Sequence, residues 1–253
     1  MITSTKNDKI KYLQKLTNKN AFRKREGVFL VEGQQENELA LAFEHQPVEF
    51  YVCEDIFGQA LPQTKVNLVS KEVYAKIAYR GSSEGIIGVY EIRDNRLEDF
   101  KVNENCKIIV LESVEKPGNL GAILRSCEAF GIDAILIADA KIDIYNPNVI
   151  RSSVGCFFGM NVFSGTNTAI ADFLIQNHIS IYTTIMSEDA IMMNEIQLPK
   201  KTAIVFGTEH SGLSDFWRDK GQNTLIPMCG KIDSLNLSNA VAISCYEMLR
   251  QNS

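Results

Sequence analysis

Leu225-Ile226-Pro227-Met228-Cys229-Gly230-Lys231-Ile232-Asp233-Ser234-Leu235-Asn236-Leu237-Ser238-Asn239-Ala240-Val241-Ala242-Ile243-Ser244-Cys245-Tyr246 carries three local signals in succession. Leu225 and Ile226 read as the apolar end of a strand, Pro227 stops further ladder pairing, and Gly230 permits a tight turn. The polar group Ser234, Asn236 and Ser238 then opens a helix with apolar positions at Leu237, Ala240, Val241, Ser244 or Cys245, and Met248. Strand end, stiff loop and capped helix together make an αβ connection, the unit from which layered α/β sheets are built. Taken alone, the stretch supports two readings: Asn or Ser merely capping a helix, or polar side chains crowding the mouth of a site.

Upstream, strands and helices alternate. Lys107 to Leu111 is a continuous apolar run of the kind found where a parallel strand is buried on both faces. A polar loop from Glu112 to Asn119 follows, then a helix with Leu120, Ile123, Leu124 and Cys127 on one face and Gly131 at its C′ position. Ala134 to Ala138, Ile179 to Thr184 and Thr202 to Phe206 read as strands; 147–153 and 168–177 read as helices. The expectation is an α/β fold with an open, mostly parallel sheet covered on both sides, whose ligands gather at the carboxyl ends of the strands.

The front of the chain is a smaller alternating α/β unit. A helix with Ile10, Leu13 and Leu16 on one face leads through a basic turn, Arg23-Lys24-Arg25-Glu26-Gly27, into the apolar run Val28 to Val31. Helices near 36–43 and 71–78 and strands at 48–52, 66–69 and 85–92 complete it. Between Arg93 and Asn105 seven of thirteen residues are charged, too many for a core element. The division is therefore set at a front domain 1–95, a linker 96–105 and a second domain 106–253.

Length permits two domains with real cores among the 253 residues. The net charge of −5 argues against a global polyanion binder, yet Met1 to Glu26 holds eight basic and two acidic residues. That arm is +6 against −11 for the rest, a local face to which a nucleic acid would bind with strong salt dependence. Six scattered cysteines without a C-x-x-C pair, and only three histidines, give no readable zinc site. With no apolar leader or membrane-length run, the chain is placed in a reducing cytoplasm.

Three glycine-bearing polar loops follow apolar strands: 112–121 with Glu112 and Asn119 leading to Arg125; Gly207-Thr208-Glu209-His210-Ser211-Gly212-Leu213; and the stretch quoted first. Neither G-x-G-x-x-G nor G-x-x-x-x-G-K-[ST] occurs, which disfavours a dinucleotide enzyme or nucleoside triphosphatase.

The second half resembles the SpoU, or TrmH-like, class of the SPOUT superfamily of RNA ribose 2′-O-methyltransferases. Three ordered motifs carry the resemblance: Glu115-Lys116-Pro117-Gly118-Asn119-Leu120-Gly121-Ala122-Ile123-Leu124-Arg125 with Ala129-Phe130-Gly131; Val205-Phe206 through Leu213; and Ile226-Pro227-Met228 with Ser234-Leu235-Asn236-Leu237-Ser238 and Ala240. It spans residues 107 to 250. More loosely, Lys24 to Gly33 is similar to the substrate-binding domain often appended to this class. The resemblance implies a homodimer, a trefoil-knotted carboxyl-terminal chain, and S-adenosylmethionine bound in the knot. It also implies Gly207, Ile226, Met228 and Leu235 as cofactor contacts and Asn119, Arg125, Glu209, Ser234 and Asn236 as active-site residues.

Methyl transfer to a ribose hydroxyl asks the protein to orient the oxygen and to remove its proton. A guanidinium stays protonated at physiological pH and is a poor base. Arg125 is therefore expected to grip the adjacent phosphate and stabilise developing alkoxide. Ser234 and Asn236 complete the hydrogen-bond shell, and Glu209 orients the arginine or the substrate. Arg23, Lys24 and Arg25 are the expected RNA contacts. Large-subunit ribosomal RNA is the leading substrate, transfer RNA the alternative; a non-catalytic RNA-binding relative is the reading from a different class. No metal and no membrane partner is expected.

Overall fold

In a computed structural model, residues 1–61, 63–79, 84–232 and 234–251 are described. By packing, the chain divides into one unit of Met1–Asp94 with Asp143–Gly159, and another of Asn95–Ile142 with Met160–Ser253. The front unit is thus discontinuous in sequence, which a reading of local composition at the 96–105 segment does not anticipate.

The front unit opens with α1 (Asp8–Asn18), capped by the Asn7 side chain accepting from the Lys9 amide at 2.9 Å. Ile10, Leu13 and Leu16 are fully buried and the lysines of the helix face out, so its 3.6-residue periodicity alone sets its orientation. The expected basic turn is instead a helix, α2 (Asn20–Glu26), closed by Gly27 at φ +67°. β1 (Val28–Glu32), α3 (Gln34–Ala42), β2 (Pro47–Val52), β3 (Val66–Leu68), α4 (Lys71–Ile77) and β4 (Ile86–Glu91) follow. The four strands form one mixed sheet in the order β1-β4-β2-β3, with β4 antiparallel to both neighbours and β3 parallel to β2. Residues of α1 and α4 pack on one face in a cluster with Leu30, Tyr51 and Ile87. On α3, the buried Asn37 amide donates to the carbonyls of Val31 and Gly33.

The second unit starts with β5 (Cys106–Glu112), α5 (Pro117–Ala129) and β6 (Ala134–Ala138). The next helix, α6 (Pro147–Ser152), belongs to the front unit, where Tyr145 and Phe158 pack around Phe29 with ring centroids 4.7 and 6.4 Å away. The second unit resumes with β7 (Val162–Gly165), α7 (Asn167–Gln176), β8 (Ser180–Thr183), β9 (Ile191–Met192), β10 (Lys201–Phe206), β11 (Gln222–Leu225) and α8 (Leu237–Gln251). Its seven strands lie in the order β7-β6-β5-β10-β8-β11-β9, and every described pairing is parallel. The sheet winds outward from β5 through β6 to β7, while β8 falls on the far side of β10. The crevice of such a sheet lies where the winding reverses, between β5 and β10, at their carboxyl ends. Ile108 and Val110 of β5 pack with Ile170 and Leu174 of α7 in one core cluster. Buried Cys127 and Cys245 bring α5 and α8 together, sulfurs 3.8 Å apart. That contact and burial push the Cys127 thiol well up, so it is no nucleophile.

Candidate active site at the strand ends

β5 and β10 run in register, Leu111 beside Phe206, so the loops that follow them leave the sheet side by side. After β5, Pro117 sits in the first turn of α5, where its missing N–H costs nothing, and places Asn119 at the third helical position. After β10, the Gly207–Leu213 loop folds back on itself: the Thr208 amide donates to the Gly212 carbonyl at 3.1 Å and the Gly212 amide to the Thr208 carbonyl at 3.0 Å. Gly207 is obligatory in this turn, because a Cβ there would lie 2.0 Å from the Gly212 carbonyl carbon.

Three of the expected residues meet here. The Asn119 Nδ2 group donates to Glu209 Oε1, and Asn236 Nδ2 donates to Asn119 Oδ1 at 3.5 Å. Lys116 Nζ stands 3.5 Å from the same Glu209 oxygen. Asn236 uses its side chain in both of the ways its sequence setting allows. Its Oδ1 caps α8, accepting from the Ser238 amide at 3.0 Å and the Ser238 hydroxyl at 2.6 Å, while its Nδ2 faces Asn119. One side chain therefore starts the helix and joins the site, with its two ends used separately. The donors run in one direction, from Asn236 through Asn119 to the Glu209 carboxylate.

Arg125 and Ser234 are not drawn into this cluster. Both are exposed, and neither makes a side-chain hydrogen bond or ion pair among the described residues. Arg125 lies six residues beyond Asn119 on α5, on a different side of the helix. The loop from Ile226 to Asn236 leaves apolar side chains uncovered: Met228 is 45% and Ile232 70% exposed, with Ile226 and Leu235 half-buried. Beside the site, Lys141 hydrogen-bonds Glu115 at 2.8 Å and holds its carboxyl below the usual range. Among the described residues no group of three or more His, Cys, Asp or Glu side chains could hold a metal ion, and no helix is long and apolar enough to cross a membrane.

The expected RNA contacts in the front unit separate. Lys24 and Arg25 are exposed; Arg25 lies over the Phe22 ring at 4.7 Å, and Lys15 Nζ lies 5.6 Å from the same ring. Arg23 is corrected from RNA contact to core residue. It is 2% exposed, pairs with Asp143 through Nη2 at 2.5 Å and Nε at 2.6 Å, and donates to the Leu16 and Thr17 carbonyls at the end of α1. Adjacent charges in the sequence point to different environments because α2 is a helix and not a turn.

Residues 107–246 match the SpoU rRNA Methylase family and residues 7–88 the MRM3-like substrate binding domain. The chain belongs to the SpoU rRNA methylase family. Among its relatives is the 23S rRNA (guanosine(2553)-2′-O)-methyltransferase RlmP of Bacillus subtilis, 26% identical over 250 residues, 98% of each chain. A crystal structure of an RNA 2′-O ribose methyltransferase superposes with a TM-score of 0.86 at 34% identity, covering 99% of this chain and 98% of that one. The SpoU methyltransferase AviRb of Streptomyces viridochromogenes, crystallised in complex with AdoMet, shares the fold, with a TM-score of 0.87 at 23% identity and 98% coverage of both chains.

Proposed function

We propose that this protein transfers a methyl group from S-adenosylmethionine to a ribose 2′-hydroxyl of large-subunit ribosomal RNA, acting as a cytoplasmic homodimer with the knotted chain path of its family. The observation that carries the reading is the convergence of Asn119 from the first turn of α5, Glu209 from the loop after β10 and Asn236 from the start of α8 at the crevice between β5 and β10. The relatives' activities support ribosomal RNA as the substrate, RlmP of Bacillus subtilis and a uridine 2′-O-methyltransferase of Streptomyces viridochromogenes both being named for 23S rRNA.

The residues present fit the cofactor. The partly exposed side chains of Ile226, Met228 and Leu235 offer an apolar surface to an adenine ring, and Gly207 keeps the turn after β10 free of a side chain. S-adenosylmethionine, when bound, supplies an electrophilic methyl group on a positively charged sulfur. The chain's own contribution is to hold the ribose and stabilise charge on its oxygen. Asn119, fixed between Glu209 and Asn236, orients the hydroxyl, and Lys116 balances the carboxylate. Arg125, exposed on α5, grips the phosphate beside the target ribose and faces the site of the second protomer. Ser234 adds a hydroxyl to that shell. Lys24 and Arg25, with Lys15 around Phe22, make the phosphate-binding face of the front unit.

The test is transfer of labelled methyl groups from S-adenosylmethionine to separated ribosomal and transfer RNA pools, with mapping of the modified ribose. Label in 2′-O-methylribose of large-subunit RNA is expected. Label confined to transfer RNA would move the substrate, and none in either pool with cofactor bound would leave a non-catalytic RNA binder.

A further inference from the structure

Glu112 ends β5 with a carboxylate buried among polar groups from two other elements; the residue is 4% exposed. Its Oε1 accepts from Asn167 Nδ2 at 2.7 Å and from the Ser214 hydroxyl at 2.5 Å, and its Oε2 accepts from the Ser214 amide at 2.7 Å. Asn167, the first residue of α7, is itself fixed in orientation, because its Oδ1 accepts from the Trp217 indole N–H at 2.9 Å. An indole nitrogen can only donate, and so can a backbone amide. Both oxygens of Glu112 therefore face obligate donors, and the position demands an acceptor at each.

Ser214 lies just beyond the Gly207–Leu213 loop. That loop is pinned at its start by the Phe206–Leu111 register and at its far end by Ser214 on Glu112, two points on one strand. Between them lie Gly207 and the Glu209 carboxylate that holds Asn119. We propose that Glu112 is a positioning residue for the active site: an acceptor-only anchor that fixes the far end of the Glu209 loop to the central strand through Ser214, with Asn167 and Trp217 setting its polarity. The catalytic part of this inference rests on the function proposed above; the anchoring of the loop does not.

Exchanging the two side chains discriminates. In E112Q the new amide nitrogen meets a fixed donor in either orientation, Asn167 Nδ2 or the Ser214 amide, and one contact is lost. In the double variant E112Q/N167D the amide of residue 112 donates to the new carboxylate, which still accepts from Trp217. The other oxygen of residue 112 still accepts from the Ser214 amide, the pair carries the same net charge, and the Ser214 hydroxyl turns to accept the second N–H of the residue 112 amide, so each fixed donor regains an acceptor. The experiment is hydrogen exchange of the full-length wild type, E112Q, S214A and the double variant, with cofactor affinity and methyl transfer measured in parallel. The Thr208 and Gly212 amides of E112Q should exchange about 10- to 100-fold faster, as expected when a buried donor loses its partner, while the β5–β10 ladder keeps wild-type protection. S214A, which retains the backbone contact, should show a smaller increase, and it carries the test if E112Q does not fold. The double variant should return towards wild-type exchange, cofactor affinity and turnover. Unchanged loop exchange in E112Q or, should E112Q not fold, in S214A overturns the proposal, as does a double variant no better than E112Q. A wild type that neither binds S-adenosylmethionine nor transfers methyl groups, with loop loosening in E112Q and its repair in the double variant, removes the proposed activity and leaves the anchor standing.

Discussion

Replacing Arg23 by Ala should unfold the front unit at much lower denaturant while doing little to the intrinsic RNA affinity of the folded protein. The guanidinium is enclosed by Asp143 and by the Leu16 and Thr17 carbonyls, and the Asp143 side chain is itself only 7% exposed. Removing the cation leaves a buried carboxylate unpaired and two carbonyls without a donor, a loss of about 3–5 kcal/mol. With a urea dependence near ~2 kcal/mol/M for a domain of this size, the midpoint should fall by roughly 2 M. The chain reports on its units separately, because its single tryptophan, Trp217, is buried in the second unit. Tryptophan emission follows that unit and far-ultraviolet dichroism follows both, so R23A should bring forward a dichroism transition and leave the emission transition in place. K24A/R25A should do the converse: stability within about 0.5 kcal/mol of wild type, as for exposed substitutions, with weaker RNA binding and a shallower salt dependence. An R23A protein with a wild-type midpoint and an RNA defect equal to that of K24A/R25A would refute the assignment of Arg23 to the core.

His45 should make the front unit acid-sensitive. Burial, and after it the charge of Arg93, lowers its pKa from 6.5 to about 4, and its Nδ1 has no hydrogen-bond partner among the described residues. As pH falls below 6.5 the unfolded chain takes up a proton that the folded one refuses, so stability is full above pH 6.5 and drains down to pH 4, by about 3 kcal/mol at most. Urea midpoints at pH 7 and 4.5 should converge in H45F relative to wild type; an equal slope in both proteins would remove His45 as the cause. N236D keeps the oxygen that caps α8 and loses the donor to Asn119, so it should melt within about 0.5 kcal/mol of wild type yet turn over on the order of 100-fold more slowly. N236A should lose both, with a cap penalty of about 1 kcal/mol; melting curves and single-turnover methylation separate the two effects. G207A forces a Cβ against the Gly212 backbone and should weaken cofactor binding by at least about 10-fold in calorimetry; unaltered affinity would show that the turn opens without cost.

Elements whose signal lies within a few residues were legible in the sequence. The buried parallel strands β5, β6, β8 and β10 declared themselves as apolar runs, and α5 by its Leu120, Ile123, Leu124 and Cys127 face closed at Gly131. β11 was not read as a strand beyond its end, since Gln222, Asn223 and Thr224 are polar; Asn223 and Thr183 satisfy each other inside the sheet at 2.6 Å. α2 escaped because its only apolar residues, Ala21 and Phe22, are adjacent and give no repeat at helical spacing. Arg23 was misread for a physical reason of another kind. Its charge is visible in the sequence, but its partner lies 120 positions away, and only the fold brings Asp143 to it. The site divides the same way. The loops were legible from glycine and strand order, and Asn119, Glu209 and Asn236 do converge, whereas the ordered contacts of Glu112 gave no local sign.

The place of β10 in the second sheet has a consequence for synthesis. β10 lies between β5 and β8 and is made after both, so the middle of the sheet stays open until residue 206 has left the ribosome. Until then the apolar β5 has β6 on one side and nothing on the other, the kind of bare strand edge that recruits a neighbouring chain. The front unit waits too, though for less long, because its last pieces are residues 143–159. A nascent chain paused between residues 160 and 200 therefore holds every segment of its front unit beside an unclosed sheet. Aggregation of truncated products should peak for chains ending in that interval and drop once β10 is included.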